Sequence, residues 1–259
     1  MNNCSNPIAV IDSGVGGISV LKELIKIMPN ENFLYFGDNK NAPYGTKTAE
    51  QVRNIMFTNL EYLRKKDAKA VVIACNTATG AAAKELRTTY NDFPIIGIEP
   101  AIKQSAKYKE HSNVLVMATP LTLHQEKFFD LMDRFSDEVN IITLPCPGLM
   151  ELVEEGKTEG PELENFLKNL FKPYENIKID SVVLGCTHYP HIKKSIQHIL
   201  GNNVMIFDGG EGTARETKRR LSELNLLNKN IGKGWVKIEC SSPYKDITDL
   251  AMKLLNNNF

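Results

Sequence analysis

The sequence predicts an α/β protein built as two similar halves. Short apolar runs of strand length alternate with helical periodicity along the chain, the pattern of parallel sheets covered by helices. One run, VVIAC at residues 71–75, ends in Cys75 and is followed by Asn76, Thr77 and Thr79. A counterpart late in the chain, VVL at residues 182–184, runs into Gly185, Cys186, Thr187 and His188. Each cysteine strand is preceded by an opening of strand, loop and helix, at residues 8–11 and again at 114–118. The two cysteines are the strongest clue to chemistry.

Residues 8–11 form an apolar strand ending at Asp12. Ser13, Gly14, Gly16 and Gly17 then turn the chain into an amphipathic helix with Val20, Leu21, Leu24 and Met28 on its apolar side. Pro29 and Asn30 stop it, and a second strand over 32–37 delivers Asp38, so the opening reads as a βαβ unit. Ligands bind outside the carboxyl ends of such strands, where Asp12 and Asp38 fall. The glycine turn admits two readings. One is a dinucleotide site with Asp38 on the ribose, although Ser19 replaces the third glycine of GxGxxG; the other, favoured, is a small anion held by backbone N–H groups. The loop 39–48 contains Pro43, Tyr44, Gly45 and Thr46, and is either a surface turn capped by Thr48 or a pocket wall. A helix over 49–65, the Cys75 strand, a helix from 81 to about 90 and a strand over 94–98 complete the first half.

Glu99 and Pro100 mark a crossing, with a helix from about 101 and a strand over 114–118 that ends in Thr119 and Thr122 before a helix carrying Phe128, Phe129 and Leu131. Residues 139–144 read as a strand. Cys146 lies between Pro145 and Pro147 with no base beside it and reads as structural. The short helix 149–155 bears Glu154 and Glu155, either solvated acids or, for one of them, a group that reaches the pocket. Then come a helix over 162–171, the Cys186 strand over 181–184, a helix over 192–200 and a strand over 204–207 ending at Asp208. A helix over 213–224 carries a solvated basic face of Arg215, Lys218, Arg219 and Arg220. A strand over 235–239 and a helix over 244–255 fit best back against the first half.

The chain of 259 residues is long enough for two modest domains with sizeable cores. Lys plus Arg and Asp plus Glu each number 31, with no polybasic tract, which argues against a nucleic-acid partner. The first residues, MNNCSN, offer no targeting segment and no apolar run is long enough to span a bilayer, so a cytoplasmic protein without a membrane partner is expected. Five scattered cysteines make no disulfide framework and no CxxC pair, and a zinc site from Cys75, Cys186 and His188 has little support.

Thiols at strand-to-helix junctions gain from the helix N-terminus, so Cys75 and Cys186 can be thiolates in the complex with substrate, able to act as nucleophile or base. A cysteine hydrolase needs one thiol with a histidine and an orienting group, and leaves Cys75 without a task. Inverting a stereocentre by proton transfer needs a base on one face of a carbon and an acid on the other, which two thiols across a cleft supply. Ser13, Asn76, Thr77, Thr119 and Thr187 offer neutral donors for a carboxylate. Asp12 can pair with an ammonium group or assist a thiol, and His188 is either a helper or a satisfied core residue.

Four segments, IAVIDSGVGG, GDNKNAPYGTKT, ACNTATG and GCTHYP, in this order and spacing, resemble glutamate racemases, cofactor-independent members of the aspartate/glutamate racemase superfamily. The resemblance covers nearly the whole chain. It implies two pseudo-symmetric, three-layer α/β domains with central, mainly parallel sheets and the active site in the cleft between them. The implied division is residues 1–98 plus 209–259 with Cys75, and 99–208 with Cys186. It further implies that Cys75 removes the α-proton of D-glutamate and Cys186 that of L-glutamate, with Asp12 helping Cys75, His188 helping Cys186 and Glu154 as a further acid on that side. Ser13, Asn76, Thr77 and Thr187 are the implied substrate-holding residues. Pro43, Tyr44, Gly45 and Thr46, with Thr119 and Thr122, shape the cavity. No cofactor or metal, a homodimer and a role in supplying D-glutamate for peptidoglycan are also implied. An aspartate or hydantoin racemase, a cysteine hydrolase and a non-catalytic amino-acid-binding protein stand as alternatives. Asn39 and Asn41 depart from the threonine and arginine common before PYG, and Gly209 from the usual serine or proline.

Overall fold

The computed structural model describes residues 3–242 and 245–257. The first half runs β1 (Ile8–Asp12), α1 (Ile18–Ile27), β2 (Phe33–Gly37), α2 (Ala49–Arg64), β3 (Ala70–Ile73), α3 (Asn76–Thr89) and β4 (Ile95–Gly97). The second runs α4 (Ile102–Tyr108), β5 (Asn113–Ala118), α5 (Pro120–Leu123), α6 (Glu126–Asp133), β6 (Asn140–Pro145), α7 (Leu149–Glu154), α8 (Pro161–Phe171), β7 (Ser181–Leu184), α9 (Lys193–Leu200) and β8 (Met205–Asp208). The chain then returns through α10 (Gly210–Glu223), β9 (Val236–Cys240) and α11 (Lys245–Asn256). The expected closing helix began at Tyr244, which lies outside the described residues.

Two parallel sheets result, in strand order β4-β3-β1-β2-β9 and β6-β5-β7-β8. Reading the second from its other edge as β8-β7-β5-β6 reproduces the first four strands of the first, so the halves share one topology. β9 is an addition that pairs with β2 and closes the chain on the first sheet. The near-continuous apolar runs follow from this arrangement, because parallel strands are covered on both faces. Ile11 and Leu34 pack with α2 and α3 on one face, while Ile8 and Val10 pack with α1, α10 and α11 on the other. In the second sheet Leu115 and Val182 face α8 and α9, while Val114 and Val116 face α4 and α6. Each such side chain contributes on the order of 1.5–3 kcal/mol when fully buried.

α2 begins where Thr48 was expected to cap it. The Thr48 hydroxyl accepts the Gln51 N–H at 3.2 Å and the Gln51 side chain accepts the Thr48 N–H at 2.9 Å. α3 differs from expectation by starting at Asn76, five residues before Ala81, which makes Cys75 its cap residue. The small residues Asn76, Thr77, Ala78 and Thr79 are buried and close the first helical turn. α9 is likewise preceded by a tight 3-10 turn, Tyr189–Ile192.

Candidate active site

The sheets place the two cysteines alike. In the first, Ile11 pairs with Ile73, the Ala74 N–H donates to the Ile11 carbonyl at 2.8 Å, and Cys75 follows. In the second, Met117 pairs with Leu184, the Gly185 N–H donates to the Met117 carbonyl at 2.7 Å, and Cys186 follows. Gly185 is needed there, since a Cβ would stand 2.9 Å from that carbonyl oxygen and 3.1 Å from the Ala118 Cβ. Cys75 and Cys186 are 7% and 8% exposed, and each lies within range of the other's charge. The same register makes Ala118 the counterpart of Asp12, so β5 ends without the acid that β1 carries.

Cys75 lies 3.9 Å from the Ser13 hydroxyl and beside buried Asp12. Burial, reinforced by the Asp12 charge, pushes the Cys75 thiol up to about 12. The helix N-terminus alone does not make it a thiolate: desolvation and a neighbouring carboxylate outweigh the dipole, and the group is held as a thiol. Asp12 is itself pushed up by burial against the opposing charge of His188. Its carboxylate accepts the Gly14 N–H at 3.1 Å and, from the other half, the Thr187 hydroxyl at 3.0 Å.

Cys186 has a different neighbour. Its sulfur is 3.6 Å from His188 Nδ1, and His188 Nε2 is 2.6 Å from Glu154 Oε1. Burial pulls His188 down, but the Cys186 sulfur and the Glu154 carboxylate outweigh it and hold the imidazole well above its usual range. Burial raises Glu154, yet His188 and the Val15 and Asn39 donors together hold it below the usual carboxylate range. The result is a buried imidazolium–carboxylate pair that gives Cys186 a cationic neighbour.

The glycine turn holds an anion, and the anion belongs to the chain itself. The Val15 N–H donates to Glu154 Oε1 at 2.7 Å, and Asn39 Nδ2 donates to Glu154 Oε2 at 3.1 Å. A Cβ at Gly14 would lie 1.8 Å from Glu154 Oε1, and one at Gly16 would lie 2.4 Å from His188 Nδ1. Glycine at these positions is therefore what admits the pair. The dinucleotide reading fails on this arrangement. Asp38 is buried and accepts from Tyr44 at 2.6 Å, from Asn59 at 2.9 Å and from Asn41 at 3.0 Å, so it is not presented to a ribose.

Thr77 of the first half meets Thr119 at 3.0 Å and Thr122 at 2.9 Å from the second, hydroxyl to hydroxyl. Gly45 backs onto Thr119, whose Cβ would be 2.9 Å from a Cβ at that glycine. Asn76 is buried, and its Oδ1 has no hydrogen-bond partner among the described residues. Tyr44 is buried with its hydroxyl committed to Asp38; Pro43 accepts the Thr46 hydroxyl at 3.3 Å, and Thr46 itself is exposed and not joined to the others. Three contributors went unread in the sequence. The Ser19 hydroxyl donates to the Thr187 carbonyl, His191 Nε2 is 3.0 Å from the Gly16 carbonyl oxygen, and Gln125 donates to the Thr77 carbonyl at 3.0 Å. Ser19 stands out locally only as the third position of the glycine motif, while His191 and Gln125 sit at ordinary helical or turn positions with no local signal to single them out. Cys146 is buried, with its thiol pushed up to about 12 by that burial, consistent with a structural residue.

Two parallel-sheet domains of one topology, meeting over a pair of equivalent buried thiols, define the class: α/β proteins of racemase architecture. The chain belongs to the Asp/Glu/hydantoin racemase family, whose model matches residues 8–217. It is 52% identical over 249 residues to a glutamate racemase of Clostridium perfringens, covering 96% of each chain. Among solved structures it is similar to a glutamate racemase isoform of Bacillus anthracis, with a TM-score of 0.88 and 29% identity over 98% of this chain and 95% of that one. It is also similar to the Francisella tularensis glutamate racemase solved in complex with D-glutamate, with a TM-score of 0.84 and 27% identity over 98% and 95% of the two chains.

Proposed function

We propose that this protein interconverts L- and D-glutamate by cofactor-independent transfer of the α-proton between two thiols. The observation that carries the reading is the equivalence of Cys75 and Cys186 at matched strand ends of two like domains, buried together but with unlike partners. For L-glutamate, the Cys186 sulfur takes the α-proton with the His188–Glu154 pair beside it, and Cys75, held as a thiol, delivers its own proton to the opposite face. In reverse, Cys75 must first lose its proton, and Asp12, pushed up by burial, is the adjacent group suited to assist.

The carbanion formed needs stabilisation by fixed dipoles where water is excluded. Buried Asn76, Thr77, Thr187 and Ser13 supply neutral polar groups for the carboxylates. Thr119 and Thr122, backed by Gly45, shape the cavity wall. We assign residues 1–98 with 209–259 to the domain of Cys75 and 99–208 to that of Cys186, in line with the two sheets. The D-glutamate serves bacterial peptidoglycan, and the same reading makes the protein a cytoplasmic homodimer. Among the described residues no helix is long and apolar enough to cross a membrane.

Circular dichroism of L- and D-glutamate solutions tests this directly. Both signals decay to zero with the wild type, and Cys75→Ser and Cys186→Ser each abolish the decay. Full racemisation by either variant sinks the two-thiol mechanism. Decay with aspartate or a hydantoin in place of glutamate reassigns the substrate.

A further inference from the structure

We propose that Asn39 is a positioning residue that sets the ionisation of the His188–Glu154 pair from the opposite domain, an inference that rests on the racemase reading above. Its Nδ2 reaches across the domain interface to Glu154 Oε2 at 3.1 Å, and among the described residues no other donor is bonded to that oxygen. The opposite oxygen is shared by the Val15 N–H and His188 Nε2. Thus the first domain grips both oxygens of a carboxylate that the second domain supplies.

The amide's own oxygen supports a role tied to Glu154. Asn39 Oδ1 is buried and accepts no hydrogen bond among the described residues, and it lies close to where the Gly14 carbonyl oxygen approaches Gly37. A buried acceptor without a partner is a cost that needs a compensating reason. The bond to Glu154 is the one the amide makes among the described residues, and it is stronger to a carboxylate than to a neutral carboxyl group. Asn39 therefore favours the charged carboxylate, and the carboxylate favours the imidazolium beside Cys186.

The other titratable groups facing Glu154 are Asp12 on β1, Tyr35 on β2, His188 and His191 after β7, and Cys240 on β9. None of them bonds to Oε2 among the described residues. Loss of the Asn39 donor is thus felt first by Glu154 and, through it, by His188.

The test is the pH profile of kcat/KM for wild type, Asn39→Leu and Asn39→Asp, with folding checked by far-ultraviolet circular dichroism. Leu removes the donor at similar size, so Glu154 protonates more readily and, as a more basic partner, holds the His188 proton more tightly. Both limbs should move to higher pH, the acid limb by about one pH unit. Asp puts a negative charge at the same place, so both limbs should move further in the same direction. If Leu does not fold, the isosteric Asp variant carries the test alone. Limbs that stay in place in the folded variants, with activity unchanged or uniformly lowered, would overturn the assignment. A wild type that racemises neither enantiomer would instead sink the racemase reading, so the two failures are separable.

Discussion

Glu154 Oε1 and His188 Nε2 stand 2.6 Å apart in a pocket whose floor is the glycine turn of the opposite domain. The pair is buried on the histidine side and about one-fifth open on the carboxylate side, with relative exposures of 1% and 18%. It joins the chemistry at Cys186 to the packing of the two domains.

That coupling predicts a pH-dependent stability. His188 is raised in the folded state, so its contribution is full below the ordinary imidazole value and is lost as pH rises through the higher folded value. Glu154 is lowered, so its contribution is present above the ordinary carboxylate value and is lost as pH falls through the folded one. Both act between those ranges. There Glu154→Gln should cost about 1–3 kcal/mol, and the difference from wild type should shrink on either side. Urea denaturation across pH measures this, and a constant difference would contradict it. Racemisation by the variant should fall by about 100-fold or more.

Gly14→Ala tests the seat of the carboxylate. The new methyl would occupy the place of Glu154 Oε1, so the side chain must swing toward solvent and abandon His188. A displacement of this kind should lower kcat by about 100-fold. Thermal melting should fall by an amount comparable to that of Glu154→Gln, because both variants break the same pair. A variant with normal kcat would show that Glu154 does not need its present position.

Deuterium transfer distinguishes two bases from one. Racemisation in deuterium oxide should give product carrying solvent deuterium at the α-carbon, delivered by the thiol on the far face. Substrate recovered early should retain protium. Proton NMR of the separated enantiomers reads both pools; early washing of deuterium into the substrate would favour a single exchanging base.

Lys69 and Glu31 form a second buried ion pair, at the amino ends of the strands and away from the thiol side. Lys69 Nζ donates to Glu31 Oε2 and to the Cys4 carbonyl, each at 2.5 Å, while Glu31 Oε1 accepts the Asn228 N–H at 2.7 Å. Lys69→Met strands the Glu31 carboxylate and should destabilise by about 3–5 kcal/mol, with Glu31→Gln in the same chain recovering part of it. Urea titration of the single and double variants checks this; a loss within about 1 kcal/mol, the range of a surface pair, would refute it. The kcat of the folded fraction should be unchanged.

The sequence by itself determined the strands, their order of use and the two cysteine positions. Continuous apolar runs ending in small polar residues are local features, and parallel sheets buried on both faces leave that mark wherever they occur. It also marked the glycine turn as an anion seat and Thr48 as a cap, because both depend on backbone groups a few residues away. Which anion fills the turn was decided only by the tertiary structure, since Glu154 is brought there by the second sheet and carries no local sign of it. The state of Cys75 was decided there too. A helix N-terminus favours a thiolate, but the burial and the Asp12 carboxylate that hold the proton come from packing. Proton affinity depends on desolvation and charge within a few ångströms, and those neighbours are assembled from distant parts of the chain.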